Sequence, residues 1–313
     1  MEKQVEKDKE LLERFYQWIK NQTNEISLFF TPYGEVLGKE YYWEYFAEFS
    51  KLQTVTKIGC QTNNSFSVDK VVSIFDGKNG NREKLRLWCT YHPDMVTEEK
   101  FLENCRKLDR EKIAYSVGIV AHDGVTDKIV SIREKLPSSV YVWLNAIEGS
   151  SYQYTENELE QLQKIDPYFQ NECMHIKADT KKCIAGEKAV FIEANGDYYA
   201  CHISKRKIGN IYDDSKVENE NTYDGSKGKN ENAYDGSKEK NENIYNDSKG
   251  KNENAYDDSE EKNINKYDSN KKDIWNVDNN HVKCQARECS CYLAYRLRED
   301  RKEYLRQDFL YRL

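Results

Sequence analysis

The sequence predicts an α/β fold: a (βα)n half-barrel or open parallel sheet, followed by a small cysteine-rich C-terminal region that a polar repeat interrupts. Three observations carry this. Five apolar runs begin about 26–30 residues apart, with a helical pattern in each gap. Five cysteines gather late in the chain in two groups, Cys183 and Cys201, then Cys284, Cys289 and Cys291. Between the groups, tyrosine returns every 11 residues in a stretch with almost nothing else apolar.

Elements follow in order. Leu11, Leu12, Phe15, Trp18 and Ile19 recur at helical spacing among charges, so residues 5–22 form an amphipathic helix. The run Ile26–Thr31 stops at Pro32 and Gly34 and reads as a buried strand. Further strands are expected at 55–61, 85–90, 113–120 and 140–145, with helices at 40–49, 68–75, 97–108 and 126–136 between them. Thr155 and Glu158 form a capping box ahead of Leu159, Leu162 and Ile165, so a last helix closes this unit. Residues 190–200 read as a hairpin turning at Asn195-Gly196. Because the chain opens on a helix, a first strand and its loop are expected to be missing from the parallel unit.

From Tyr212 the chain repeats through Tyr223, Tyr234, Tyr245, Tyr256 and Tyr267. Units rich in Asn, Asp, Gly and Ser bury too little to offset the entropy of ordering, so the repeat reads as a disordered insertion. A minority reading has it bind a partner through its tyrosines. Order is expected to resume near Ile274-Trp275, with a charged amphipathic helix at 292–313.

Composition bounds function. With 313 residues and a formal charge of −7, the chain is large enough for a barrel-like unit plus a small domain, and its field does not favour nucleic acid. Its first residues mix both charge signs, without the apolar core of a signal peptide. No run approaches the roughly 18 apolar residues that span a bilayer. These features point to a reducing cytoplasm and no membrane. There, nine cysteines are core residues and metal ligands rather than a disulfide framework.

Chemistry is expected at two places. In parallel α/β folds ligands meet the loops that follow the strands, here 32–35, 62–64, 91–93, 122–124 and 145–146. On them, Gly34-Glu35 could set a backbone amide and a carboxylate against an amino or ribose group, and His92 is a weak catalytic or ligand-contacting candidate. His122-Asp123 reads as a solvated turn rather than an acid/base pair. At the second place, Cys183, Cys201, Cys284, Cys289 and Cys291 would repel one another as thiolates unless a cation is bound. Zinc in a structural knuckle or a [4Fe–4S] cluster would satisfy them, with His202 beside Cys201. Cys60, Cys89 and Cys105 lie in strand and helix patterns and read as core residues. Cys173 is ambiguous.

Together these segments resemble a known family. Cys183-x12-Gly196-x4-Cys201 resembles the opening of the SPASM or twitch auxiliary-cluster domain of radical S-adenosylmethionine (radical SAM) proteins. The stretches 30–37, 61–63, 87–93, 116–118, 141–146, 183–187, 201–202, 208–210 and 289–291 are similar to an uncharacterised bacterial branch of that family. The resemblance implies a partial (βα) barrel over 1–170 that lacks its first strand. It further implies an iron–sulfur domain over 171–212 plus 273–313, with the repeat occupying 213–272. It assigns Gly34 and Glu35 to the methionyl end of S-adenosylmethionine (AdoMet), with Asn63 beside them and Gly118 on the adenine side. The five late cysteines become auxiliary-cluster ligands, zinc being the alternative metal. The implied reaction is hydrogen abstraction from a peptide or small metabolite.

One departure is clear. The family's Cys-x3-Cys-x2-Cys loop occurs nowhere in this sequence. Three accounts follow: a fragment, a half that works with a separately encoded radical SAM partner, or a degenerate relative. A non-catalytic α/β binding protein stapled by zinc or a cluster is the alternative to an enzyme.

Overall fold

The computed structural model describes residues 2–147, 152–167, 169, 178–179, 185–186, 189–202, 207–213 and 288–289. The expected helix at 292–313, the repeat, Ile274-Trp275, Cys173, Cys183, Cys284 and Cys291 lie outside the described residues.

Strand and helix alternate as α1 (Glu2–Lys20), β1 (Ile26–Phe30), α2 (Glu40–Lys51), β2 (Val55–Thr62), α3 (Val68–Gly77), β3 (Leu85–Tyr91), α4 (Glu98–Arg110), β4 (Ala114–Ala121), α5 (Thr126–Lys135), β5 (Val142–Ala146) and α6 (Glu156–Ile165). The five strands pair in sequence order, all parallel, in a sheet that curls into a half-barrel. The α/β expectation therefore holds. β1 and β5 are the edge strands of this sheet, and the expected helix α1 precedes β1.

Alternation divides the sheet into two faces. Ile58 and Cys60, Leu87 and Cys89, Val117 and Ile119, and Val142 and Leu144 join the buried cluster that includes Phe46 and Phe49 of α2, Phe75 of α3, Phe101 and Leu108 of α4, and Ile129 and Ile132 of α5. α1 adds Ile19 to that cluster, and its Phe15 ring meets Phe30 edge-on at 6.1 Å and Phe49 at 5.8 Å. The other face carries Phe29, Trp88 and Trp143, with Phe29 and Trp88 centroids 5.8 Å apart and the two indoles 4.5 Å apart.

Helix ends are set by local chemistry. Ser67 caps α3 by accepting from Lys70 N–H at 3.3 Å, and Thr97 caps α4 by accepting from Lys100 N–H at 3.4 Å. The α6 capping box is present, with Glu158 N–H donating to Thr155 Oγ1 at 3.3 Å and Thr155 N–H to Glu158 Oε2 at 2.9 Å. At the α5–β5 connection, Arg133 donates to the carbonyls of Leu136, Pro137 and Val140.

Beyond α6 the expected hairpin is present, β7 (Phe191–Ile192) against β8 (Asp197–Tyr199), and β9 (Lys207–Asn210) adds a third antiparallel strand that the sequence reading did not include. The loop is longer than the expected two-residue turn. Gly196 N–H donates to Glu193 C=O at 2.9 Å and Glu193 N–H to Asp197 C=O at 2.8 Å, so Asn195-Gly196 end the loop instead of forming its centre. Gly196 sits at φ +93°, which its missing Cβ permits. Two further short strands, β6 (Ala178–Asp179) and β10 (Glu288–Cys289), pair antiparallel. Backbone from before the repeat thus lies beside backbone from after it.

Candidate functional site

The loops after β1 and β2 meet at one carboxylate. Glu35 Oε1 accepts from Leu37 N–H at 2.9 Å, while Oε2 accepts from the Thr62 hydroxyl at 2.9 Å and from Asn63 N–H at 2.6 Å. Gly34, just before it, takes φ +69°, and Tyr33 is wholly exposed. A left-handed residue here turns the chain so that Tyr33 faces water while Glu35 reaches across to β2. Charge-assisted hydrogen bonds of this kind are the stronger ones, so the two strand-end loops form a rigid pair.

A second clamp holds the β2 loop to α4. Thr62 Oγ1 also accepts from Asn64 N–H at 3.1 Å, and Asn64 is buried at φ +60°. Asn104 Nδ2 donates to the Asn64 carbonyl at 2.8 Å, to Asn64 Oδ1 at 3.0 Å and to the Phe66 carbonyl at 3.1 Å. Asn63 turns its own Oδ1 to Ser65 N–H at 3.0 Å. The predicted pair Glu35 and Asn63 is therefore brought together, through the Asn63 backbone.

Gly118 lies two strands beyond β2, on β4, in a register row with Thr90 and Trp143. A Cβ at Gly118 would stand 1.9 Å from Trp143 Cζ2, so glycine here lets the indole lie flat across β4. Trp143 covers Gly118; Thr90 and Trp143 carry the polar groups of that row, and sequence reasoning missed both. Thr90 Oγ1 and Trp143 Nε1 are buried with no hydrogen-bond partner among the described residues. Burying such groups unpaired costs about 1–3 kcal/mol each, which an arriving ligand with matching polar atoms would relieve.

The remaining sequence candidates are dispersed. His92 opens the β3 loop, its carbonyl accepting from Met95 and Val96 N–H at 3.0 and 3.2 Å, and burial pushes its imidazole below the ordinary value. His122 turns Nδ1 toward the Asp123 carbonyl at 2.9 Å, a local turn and not a paired acid and base. Cys60, Cys89 and Cys105 are fully buried core thiols. Burial, then the neighbouring Asp109, pushes Cys105 up to about 12; Cys60 and Cys89 are raised by burial as well. These three are protonated at any ordinary pH and inert.

Of the five late cysteines, Cys201 is half-buried just past β8, next to His202, whose ring meets Phe191 at 6.4 Å and whose imidazole burial pushes down. Cys289 is known by its backbone pairing with Ala178. Among the described residues no three His, Cys, Asp or Glu side chains gather as a metal site. No helix of the described residues is long and apolar enough to cross a membrane.

No protein-family model matches the chain, and no curated protein matches it. Solved structures similar to it include native anSMEcpe with bound AdoMet, at 15% identity over 65% of this chain and 68% of that one, TM-score 0.43. A hexahistidine-tagged form of anSMEcpe with bound AdoMet is similar at 15% identity over 64% and 65%, TM-score 0.42. The chain spans about two thirds of each.

Proposed function

We propose that this chain is a radical SAM-type protein that binds AdoMet at the strand-end loops of its half-barrel and an auxiliary [4Fe–4S] cluster through Cys183, Cys201, Cys284, Cys289 and Cys291. The observation that carries this is the Glu35 clamp: a carboxylate fixed between two strand-end loops, behind a left-handed glycine, at the end of a parallel sheet where ligands of such folds bind. The fit extends along the sheet. Thr90 Oγ1 and Trp143 Nε1 offer unused polar atoms beside an indole face, which suits a flat, polar group such as adenine. Glu35 Oε1 accepts a single hydrogen bond among the described residues, which leaves it able to receive an amino group.

The auxiliary site is supported by the β6–β10 pair, which sets Cys289 near the segment leading to Cys183, and by Cys201 following β8. AdoMet and iron–sulfur clusters supply the radical chemistry when bound; the protein positions them. Residues of this chain would hold the methionyl end and the adenine and exclude water behind Trp88 and Trp143. The family's Cys-x3-Cys-x2-Cys loop is not among these residues, so the reducing cluster would be held by thiolates of a longer form of this chain or of a separately encoded radical SAM partner. The substrate would be a peptide or small metabolite. The proposed layout is a barrel at 1–170, a cluster domain at 171–212 plus 273–313 and the repeat at 213–272, in the cytoplasm.

Two measurements test this. Calorimetric titration should give saturable AdoMet binding, weakened at least tenfold by Glu35→Ala and less by Trp143→Phe, which keeps an aromatic ring but deletes the N–H donor. Absence of binding to the reconstituted wild type rejects the AdoMet reading. Iron and sulfide should reach about four per chain after anaerobic reconstitution. The missing Cys-x3-Cys-x2-Cys loop favours a second reading, a zinc-stapled binding protein, which about one zinc per chain without iron would select.

A further inference from the structure

Tyr212 is the first tyrosine of the 11-residue repeat, and its surroundings give that repeat a physical meaning. Its ring lies 3.8 Å from the Arg14 guanidinium of α1 and packs against Gly196, where a Cβ would stand 2.3 Å from the ring. Two residues earlier, Asn210 braces the same turn. Its Nδ2 donates to the Asn195 carbonyl at 3.1 Å and to Asp197 Oδ1 at 2.7 Å, and its Oδ1 accepts from Tyr212 N–H at 2.9 Å. Lys207, three residues before that, pairs with Asp197 at 2.6 Å, and this contact, then Asn210, holds the carboxyl below its ordinary value. The pattern Lys-x-x-Asn-x-Tyr is thus the part of β9 and its exit that grips the turn Asn195-Gly196-Asp197.

The same pattern recurs downstream. Lys229, Asn232 and Tyr234 share its spacing, as do Lys240, Asn243 and Tyr245, then Lys251, Asn254 and Tyr256, then Lys262, Asn265 and Tyr267. One unit, Glu218, Asn221 and Tyr223, keeps Asn and Tyr but not Lys. The residues of β9 that do not grip through polar side chains are lost: Ile208-Gly209 becomes Asn-Glu in most units. What the repeat copies from β9 is its turn-gripping side chains.

We propose that the repeat is a tandem array of turn-gripping cassettes whose partner is the Asn195-Gly196-Asp197 turn of a second copy of this chain. The charges match, lysine to Asp197, and so does the hydrogen-bonding set. Cassettes 11 residues apart can reach roughly 36 Å when extended, far enough to serve different protomers. Each copy grips less well than the resident strand. A Cβ at Gly209 would stand 2.9 Å from the Tyr198 ring, so a copy bearing Glu there must swing that ring aside. Each chain carries five such cassettes and one turn, so any of the five can take a given partner turn, and their number offsets the weakness of each. The proposal is independent of AdoMet and metal binding.

Light-scattering mass of the full chain across a concentration series tests it. The mass of the wild type should rise with concentration. Alanine at Tyr223, Tyr234, Tyr245, Tyr256 and Tyr267 together should hold the chain monomeric while thermal unfolding of the half-barrel stays unchanged. Glutamate at Lys229, Lys240, Lys251 and Lys262 should do the same without touching any described contact. Tyr212→Ala loosens the resident grip, so it should lower the concentration of half-association at least threefold, and the five alanines should reverse that gain. A wild type that stays monomeric throughout, or five-alanine and glutamate variants that associate like it, would overturn the proposal. So would a Tyr212→Ala gain that survives the five alanines.

Discussion

In the half-barrel, β3 keeps every residue but one buried, whereas in the antiparallel sheet no residue of β7, β8 or β9 is buried. The first region stands on apolar surface packed between sheet and helices. The second stands on polar grips: Asn210 and Lys207 on Asp197, Tyr212 on Gly196 and Arg14. Polar grips fix geometry well, but each nets only about 1 kcal/mol against water. A small sheet without its own core generally needs a further staple, such as a metal. The contrast implies that the half-barrel can stand on its own apolar surface, whereas the three-stranded sheet has no such core of its own.

The largest effect separating the two should come from Phe46→Ala. Phe46 is fully buried, with Phe30 at 4.9 Å and Trp43 at 5.7 Å, and truncating such a ring costs about 3–5 kcal/mol. Denaturant unfolding followed by fluorescence should show that loss, and the metal content of the protein that remains folded should not change. Next is Cys201→Ser. If the late cysteines share a metal, this change should abolish its uptake and expose residues beyond about 170 to protease while the half-barrel unfolds as before. Full metal retention would remove Cys201 from the ligand set.

Gly118→Ala should have an intermediate effect. Its new methyl group meets Trp143 at 1.9 Å, and overpacking of this kind costs about 1–3 kcal/mol. Because the indole must shift, tryptophan emission should change along with stability. An unchanged spectrum with a small loss would mean that Trp143 does not lie across β4.

How far the sequence foretold this differs between the same two regions. The half-barrel was legible because its strands are mostly apolar runs such as Leu85–Thr90, and helices such as α4 and α6 begin at capping residues, Thr97 and Thr155. The end of α4 was less so. It closes with Lys112 at φ +56°, and Ile113 N–H reaches the Leu108 carbonyl at 3.0 Å, a left-handed stop that usually carries glycine. β9 was missed because Lys207–Asn210 has neither alternation nor length; its place is set by side-chain grips on a distant turn. Within the site, Glu35 was legible from its glycine and its loop. Thr90 and Trp143 were not, because only the register of β3, β4 and β5 reveals that they flank Gly118. An indole in an apolar run looks like any other core residue.

The smallest effect concerns the α6 cap, where the half-barrel itself uses a polar grip. Tyr152 OH and then the Thr155 amide and hydroxyl donate to Glu158 and hold its carboxyl down at about 2. A folded-state value below the unfolded one means the grip contributes fully above the ordinary value of 4.5 and is lost as pH falls toward about 2. Glu158→Gln should therefore cost little at neutral pH, about 1 kcal/mol or less because the site is near the surface. The difference between variant and wild type should shrink between pH 4.5 and about 2, where both carry an uncharged side chain. A penalty that stays constant across that window would show that the carboxylate's charge plays no part and that shape alone sets the cap.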